Sequence, residues 1–234
     1  MARRLIVNAD DLGQCAGINR GIATAVDEGV VTSSSLMVRW PAAEGASAWA
    51  RATPSVSVGL HLDLGEWIPV GVGWEPLYEV VDASNPTAVN DELSRQLGMF
   101  LRLIGQPPSH LDVHQHLQRD EPLRSLLLCV GERLGVPVRD VAGPIRYCGS
   151  FYGQYGAGHS YPQGITLESL LAIIDGLEEG TTELGCHPAT ADVDDLTSPY
   201  RTERAIELAV LTDPQLSAAL AVRGIQLCSF YTAG

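Results

Sequence analysis

Strand-like and helix-like runs alternate from one end of this chain to the other. That is the pattern of repeated βαβ units, and it calls for a parallel sheet covered by helices. Leu5-Ile6-Val7 is a short apolar run that breaks off at Asn8-Ala9-Asp10-Asp11, as a buried strand does when its C-terminal end reaches a polar mouth. Ile18, Ile22, Ala25 and Val26 then recur at helical spacing, with Gly29 as the stop. Further strands are predicted at residues 34–38, 56–63, 109–116 and 138–141, in a run ending at His187, and at residues 225–229. Helices are predicted between them at residues 42–51, 88–104, 123–134, 166–179, 205–211 and 214–224; in the helix at 88–104, Leu93, Leu97, Phe100, Leu101 and Ile104 share one side. The last helix has Asp213 as N-cap and Pro214 at its first position.

About seven parallel strands fit an α/β barrel better than a sandwich. The 234 residues suit one such barrel, read as a single domain over residues 1–234. A doubly wound open sheet is the alternative, but the first strand lacks GxGxxG and gives no support for a dinucleotide fold. Residues 65–87, rich in Gly, Pro and Trp, and residues 143–164 lack periodicity and are expected to be long irregular segments. Loops of that length in a compact domain are usually functional. Tyr147, Phe151, Tyr152, Tyr155, His159 and Tyr161 crowd the second of them, and planar rings of that density suit the faces of sugars.

The formal charge of −13 argues against nucleic acid or an anionic membrane surface as the main partner. Five widely spaced cysteines without a CxxC, together with an N-terminus that turns polar at once, point to reduced thiols in a cytoplasmic protein.

The chemistry collects where the strands end. Asp10 and Asp11 follow the first, His61 and Asp63 the third, His114 and His116 the fourth, and His187 the sixth. In a parallel barrel those ends converge on one mouth. Taken singly, each has an ordinary explanation: paired aspartates in a turn, a satisfied core histidine, a histidine shaping a turn before Pro188. Their joint occurrence at strand ends is what carries the argument. Two imidazoles and one carboxylate make a common divalent-metal site with open positions, and Asp11, His61 and His114 are the candidates. Asp10, beside a ligand, is the candidate general base, and His187 the candidate acid for a departing amine. Asp112 is placed to orient a ligand imidazole through its second nitrogen. Asp63 and His116 are read as residues behind the ligands or touching substrate. Arg39 and Arg146 are read as anion contacts, and His159 as a surface or wall residue. No GxSxG motif is present, and the cysteines have no base partner in sequence.

Leu5-Ile6-Val7-Asn8-Ala9-Asp10-Asp11-Leu12-Gly13, Val31-Thr32-Ser33-Ser34, Gly59-Leu60-His61-Leu62, His110-Leu111-Asp112-Val113-His114-Gln115-His116 and Cys186-His187-Pro188-Ala189 occur in order over nearly the whole chain. Together they resemble the YdjC-like (ChbG/HpnK) carbohydrate deacetylases. The resemblance implies a distorted (β/α) barrel related to polysaccharide deacetylases. It implies metal-dependent removal of acetyl groups from N-acetylated sugars, typically short chitooligosaccharides or their phosphates. It carries over Asp11, His61 and His114 as metal ligands and Asp10 as the base. The family is associated with Mg²⁺, while two imidazoles suit Zn²⁺ at least as well. The expected partner is a small acetylated amino sugar, with no nucleic acid or membrane, and a homodimer is kept open. Asp63-Leu64-Gly65-Glu66-Trp67-Ile68-Pro69 departs from the family pattern, and residues 143–164 match nothing in it. Two other functions compete: a sugar-binding barrel without chemistry, and a different metal hydrolase on the same scaffold.

Overall fold

The computed structural model describes residues 2–71, 73–141, 143–156, 158–193 and 196–233. In chain order the elements are β1 (Arg3–Leu12), α1 (Ala16–Asp27), β2 (Ser33–Leu36), α2 (Ala43–Ala52), β3 (Ser57–Leu62), β4 (Gly65–Val70), β5 (Gly73–Glu79), α3 (Pro86–Ile104) and β6 (Leu111–Val113). They continue with α4 (Leu123–Leu134), β7 (Ile145–Cys148), β8 (Gln154–Tyr155), β9 (His159–Ser160), α5 (Leu167–Asp175), β10 (Gly180–Cys186), α6 (Thr202–Leu211), α7 (Pro214–Val222) and β11 (Gln226–Leu227).

Seven strands form one curled, half-barrel sheet in the order β6-β3-β2-β1-β10-β7, with β11 beside the N-terminal half of β1 and every pairing parallel. β1 is the spine. Its Leu5, Val7 and Ala9 belong to the apolar core with Ile18 and Ile22 of α1, while Asn8 and Asp10 take the opposite face and enter a polar network. Period-two alternation alone would send the neighbouring Asp11 back into the core. It does not, because the β1–β2 register shifts between Ala9 and Leu12 and Asp11 adopts φ 67°. A bulge with a left-handed residue lets both carboxylates open on one mouth.

α3 is the longest helix among the described residues. The Asn85 side chain accepts from the amides of Thr87 and Ala88 at its start, and Gly105 at φ 83° ends it. Leu93, Leu97, Phe100 and Ile104 are buried as expected, but Leu101 is turned outward.

Several expectations need correction. Residues 65–87 are not an irregular loop: β4 and β5 form an antiparallel hairpin in which Trp67 pairs with Pro76 and Pro69 with Trp74. Prolines on both strands, and side chains left largely in water, hid the alternation from a hydrophobicity pattern. Residues 143–164 contain β7, a strand of the main sheet, and the small β8–β9 hairpin. The strand expected at 138–141 is reduced to one bridge, Leu111 to Val138, and the last strand to two residues. The histidine strand stops at Val113, and the chain then turns through a 3-10 segment, His114–Arg119, with Gln115 and His116 at φ 56° and 58°. No single helix among the described residues is long and apolar enough to cross a membrane.

Candidate metal centre and active site

Three strands bring three candidate ligand atoms to one point. Asp11 leaves the bulged end of β1, His61 lies on β3, and His114 follows β6. His61 Nε2 is 3.3 Å and His114 Nδ1 3.2 Å from Asp11 Oδ1, and the two nitrogens are 3.3 Å apart. Ligand atoms on adjacent positions of an ion bonded at about 2.0–2.2 Å stand about 2.9–3.5 Å apart by trigonometry, so the triangle fits. The donor chemistry fits as well: Asp11 Oδ1 is buried and has no hydrogen-bond partner, while Arg204 Nη2 holds the other oxygen at 2.7 Å. Two further groups of buried acids and histidines share the site, around Asp10–His61–Asp112 and His110–Asp112–Glu183. A guanidinium already stands among their carboxylates. Arg139 reaches Asp10 at 2.6 and 2.7 Å, Asp112 at 2.7 Å and Glu183 at 2.6 Å.

The imidazoles are steered from behind. His61 and Asp112 are register partners across β3 and β6, and His61 Nδ1 meets Asp112 Oδ1 at 2.9 Å, leaving Nε2 for the triangle. Asp112 in turn accepts from Ser35 at 2.6 Å. His114 has Glu66 Oε2 3.6 Å from its Nε2, leaving Nδ1. Burial alone would lower both imidazoles. The facing carboxylates outweigh it, raising His61 well above its ordinary value, Asp112 foremost, and His114 to about 9 through Asp11 and Glu66. Protons thus occupy this carboxylate–imidazole cluster in the ion-free chain, and a metal would compete with them. Burial raises the Asp11 carboxyl, but Arg204 and the two imidazoles hold it well below the usual range.

Asp10 stands next to the triangle. Arg139 binds it two-pronged and Asn8 Nδ2 donates to it at 2.8 Å. Burial would raise its carboxyl, but the Arg139 charge overrides that and keeps it ionised. His187 Nε2 lies 3.9 Å from Asp10 Oδ2, and its Nδ1 is 3.8 Å from Glu207 Oε1. Burial lowers His187 to about 4, so its imidazole is neutral at pH 7. Glu207 also accepts from the His187 amide and the Tyr200 hydroxyl. Asp10, Asp11, His61, His114, His116 and His187 all line one cavity of about 640 Å³. Tyr147 and Tyr152 form part of its wall, with Tyr147 Oη 3.3 Å from His116 Nε2.

The remaining sequence candidates stand apart. Asp63 is fully buried and receives Arg39, Trp40, Tyr78 and the Gly65 amide, so it ties the β4–β5 hairpin to β3 and does not reach the cavity. Arg39 is taken up by Asp63 and Glu92. Arg146 points from β7 to the Glu178 and Glu179 carbonyls at the opposite end of the sheet. His110 is buried beneath the site, stacked on Phe230 at 3.8 Å, and His159 is exposed. Sequence reasoning missed Arg139, Arg204, Glu207 and Glu66; Arg139 and Glu66 carry no signal beyond being charged, while Arg204 and Glu207 lie with Glu203 at helical spacing in α6.

A family model described as YdjC-like protein matches residues 4–222. A carbohydrate deacetylase of Geobacillus stearothermophilus is 34% identical, with 98% of each chain covered. A chitooligosaccharide deacetylase of Serratia marcescens is 32% identical over 98% of this chain and 99% of its own. Among solved structures, an Enterococcus faecalis protein provisionally assigned to cellobiose-phosphate cleavage superposes with a TM-score of 0.81, at 25% identity and 99% coverage of both chains. A family 4 carbohydrate esterase of Streptomyces lividans, solved with acetate, shares the fold alone, with a TM-score of 0.53 at 15% identity over 99% of this chain and 95% of its own.

Proposed function

Because the chain belongs to the YdjC-like family, we propose that it is a metal-dependent hydrolase that removes an N-acetyl group from a small amino sugar such as a chitooligosaccharide or its phosphate. The observation that carries this reading is the Asp11 Oδ1–His61 Nε2–His114 Nδ1 triangle opening on a cavity that also holds Asp10 and His187. Relatives named as carbohydrate and chitooligosaccharide deacetylases support the substrate class. A divalent ion held by Asp11, His61 and His114 would supply Lewis acidity to an acetyl carbonyl and would lower the pKa of a water. Two imidazoles and one carboxylate favour a transition ion such as Zn²⁺ over Mg²⁺, which prefers oxygen donors.

Asp10, fixed by Arg139 and Asn8, is the base that takes a proton from the attacking water. His187, neutral in the free chain, is the acid in this reading. It becomes one by receiving that same proton from Asp10, 3.9 Å away, and passing it to the departing nitrogen. An amine leaves poorly unless protonated, so the relay serves the slow half of the reaction. Glu207 Oε1 stands 3.8 Å from Nδ1. A sugar-binding barrel would need neither Asp10 nor His187 in the cavity, which favours the hydrolase.

The test compares acetate release and metal content in variants. Asp10→Asn should keep the metal and lose turnover, whereas His61→Ala and His114→Ala should lose the metal. Wild-type acetate release in both kinds of variant would sink the reading.

A further inference from the structure

A second cleft, of about 510 Å³, opens beside the first between the β4–β5 and β8–β9 hairpins. Resting on the deacetylase reading, we propose that this cleft is a subsite for an uncharged second hexose ring and that it turns a phosphorylated ring away. The two cavities adjoin, sharing Glu66, Gln115, Tyr152, Ser198 and Tyr200 in their walls. The hairpin register sets Trp67, Pro69, Trp74 and Pro76 on one face of the ribbon, and Trp67, Pro69 and Trp74 line the cleft. Tyr155 lines it from the other hairpin. Trp74 is 59% and Tyr155 60% exposed, so two large rings are left in water at the entrance. Flat apolar rings with wet edges match the C–H face of a hexose.

The position of this wall is fixed relative to the metal centre. The Gln115 side chain accepts from the Trp67 amide and donates to the Trp67 carbonyl, both at 2.9 Å, and Gln115 directly follows His114. A ring stacked on the hairpin is therefore held at a set distance from the reacting acetyl group, which is the requirement for placing a linked pair of sugars.

Charge decides between a neutral and a phosphorylated ring. No Lys or Arg is among the described residues lining the cleft. At the junction, the Glu66 carboxylate, 2% exposed and with Oε2 turned to His114 Nε2, sets a like charge against a phosphate. Of the cations lining the neighbouring cavity, Arg119 pairs with Asp140 and Arg204 Nη2 with Asp11, while the buried Arg204 Nη1 has no hydrogen-bond partner. A phosphate held in the cleft itself would meet no guanidinium among the described residues that line it.

The experiment uses metal-loaded protein with diacetylchitobiose, its 6-phosphate and N-acetylglucosamine. Binding is read as the immediate change in tryptophan fluorescence, and turnover as acetate. Diacetylchitobiose should bind at least about tenfold more tightly than its 6-phosphate. Trp74→Ala should lower the ratio of disaccharide to monosaccharide kcat/KM by about tenfold. Equal or tighter binding of the 6-phosphate, or an unchanged ratio in Trp74→Ala, overturns the subsite. The two readings fail separately. Acetate release without preference leaves the deacetylase standing and removes the subsite. Selective disaccharide binding that Trp74→Ala abolishes, without acetate from any sugar, does the reverse.

Discussion

Replacing Asp112 by Asn tests how the metal centre is held together. Asp112 does not touch the cavity. It accepts from His61 Nδ1 at 2.9 Å through one oxygen, and from Ser35 at 2.6 Å and Arg139 at 2.7 Å through the other. An asparagine has one acceptor oxygen and one NH₂. With the oxygen toward His61, the NH₂ meets the Arg139 N–H, donor against donor. Flipped, it meets the His61 N–H instead. One charge-assisted hydrogen bond is lost in either orientation, about 1.5–3 kcal/mol of stability. His61 also loses the carboxylate that fixes its tautomer, and the loss of such a partner lowers metal affinity by about 10–100-fold. Calorimetric metal titration of Asp112→Asn, with thermal unfolding as the control, measures both. Activity should return in large part at saturating metal, because every ligand atom is still present. Metal affinity within about twofold of wild type, in a folded variant, would refute the role of Asp112 and bring His61 as a ligand into question.

Two further outcomes follow from the same network. Burial raises the Glu207 carboxyl to about 7 against the donors that oppose it. The folded state therefore binds its proton more tightly than the unfolded chain, and this group's contribution to stability is full below about pH 4.5 and lost as pH rises to about 7. Glu207→Gln should flatten the pH dependence of the melting temperature between those values, by at most about 3 kcal/mol, and an unchanged slope would contradict the raised carboxyl. Gly21 lies against the chain just after His187: a Cβ there would sit 2.3 Å from the Ala189 Cα and 2.6 Å from its carbonyl carbon. Backbone cannot give way as a side-chain tip does, so Gly21→Ala should shift the His187 loop and lower kcat by about 100-fold while metal content stays at one ion per chain; unchanged kcat would show that His187 needs no such placement.

Much of the site was legible because strand ends advertise themselves. An apolar run that stops at Asp10-Asp11, and histidines at the ends of two other such runs, can converge only if the sheet is parallel and curled, and it is. What the sequence left out is of two kinds. The bulge that turns Asp11 beside Asp10 is a backbone event at a residue whose type does not demand it. Arg139, Arg204 and Glu207 look like surface charges, because a lone charged residue usually is one. They are buried only because partners distant in sequence meet them, Asp10 for Arg139 and Asp11 for Arg204. Glu203, Arg204 and Glu207 at helical spacing in α6 do form a polar stripe, and all three are buried. That stripe was the available signal. The β4–β5 hairpin escaped for another reason: its face is built from tryptophan and proline and remains largely in water, so burial never imposed a simple hydrophobic alternation on it.

The central claim is metal-assisted removal of acetyl from an amino sugar, with Asp10 as base. Acetate release from diacetylchitobiose by metal-stripped protein, before and after one equivalent of Zn²⁺ or Mg²⁺ is returned, addresses it most directly. The account expects acetate only after metal is restored, and none from Asp10→Asn carrying the same metal. Acetate from the stripped protein, or undiminished acetate from metal-loaded Asp10→Asn, would contradict it.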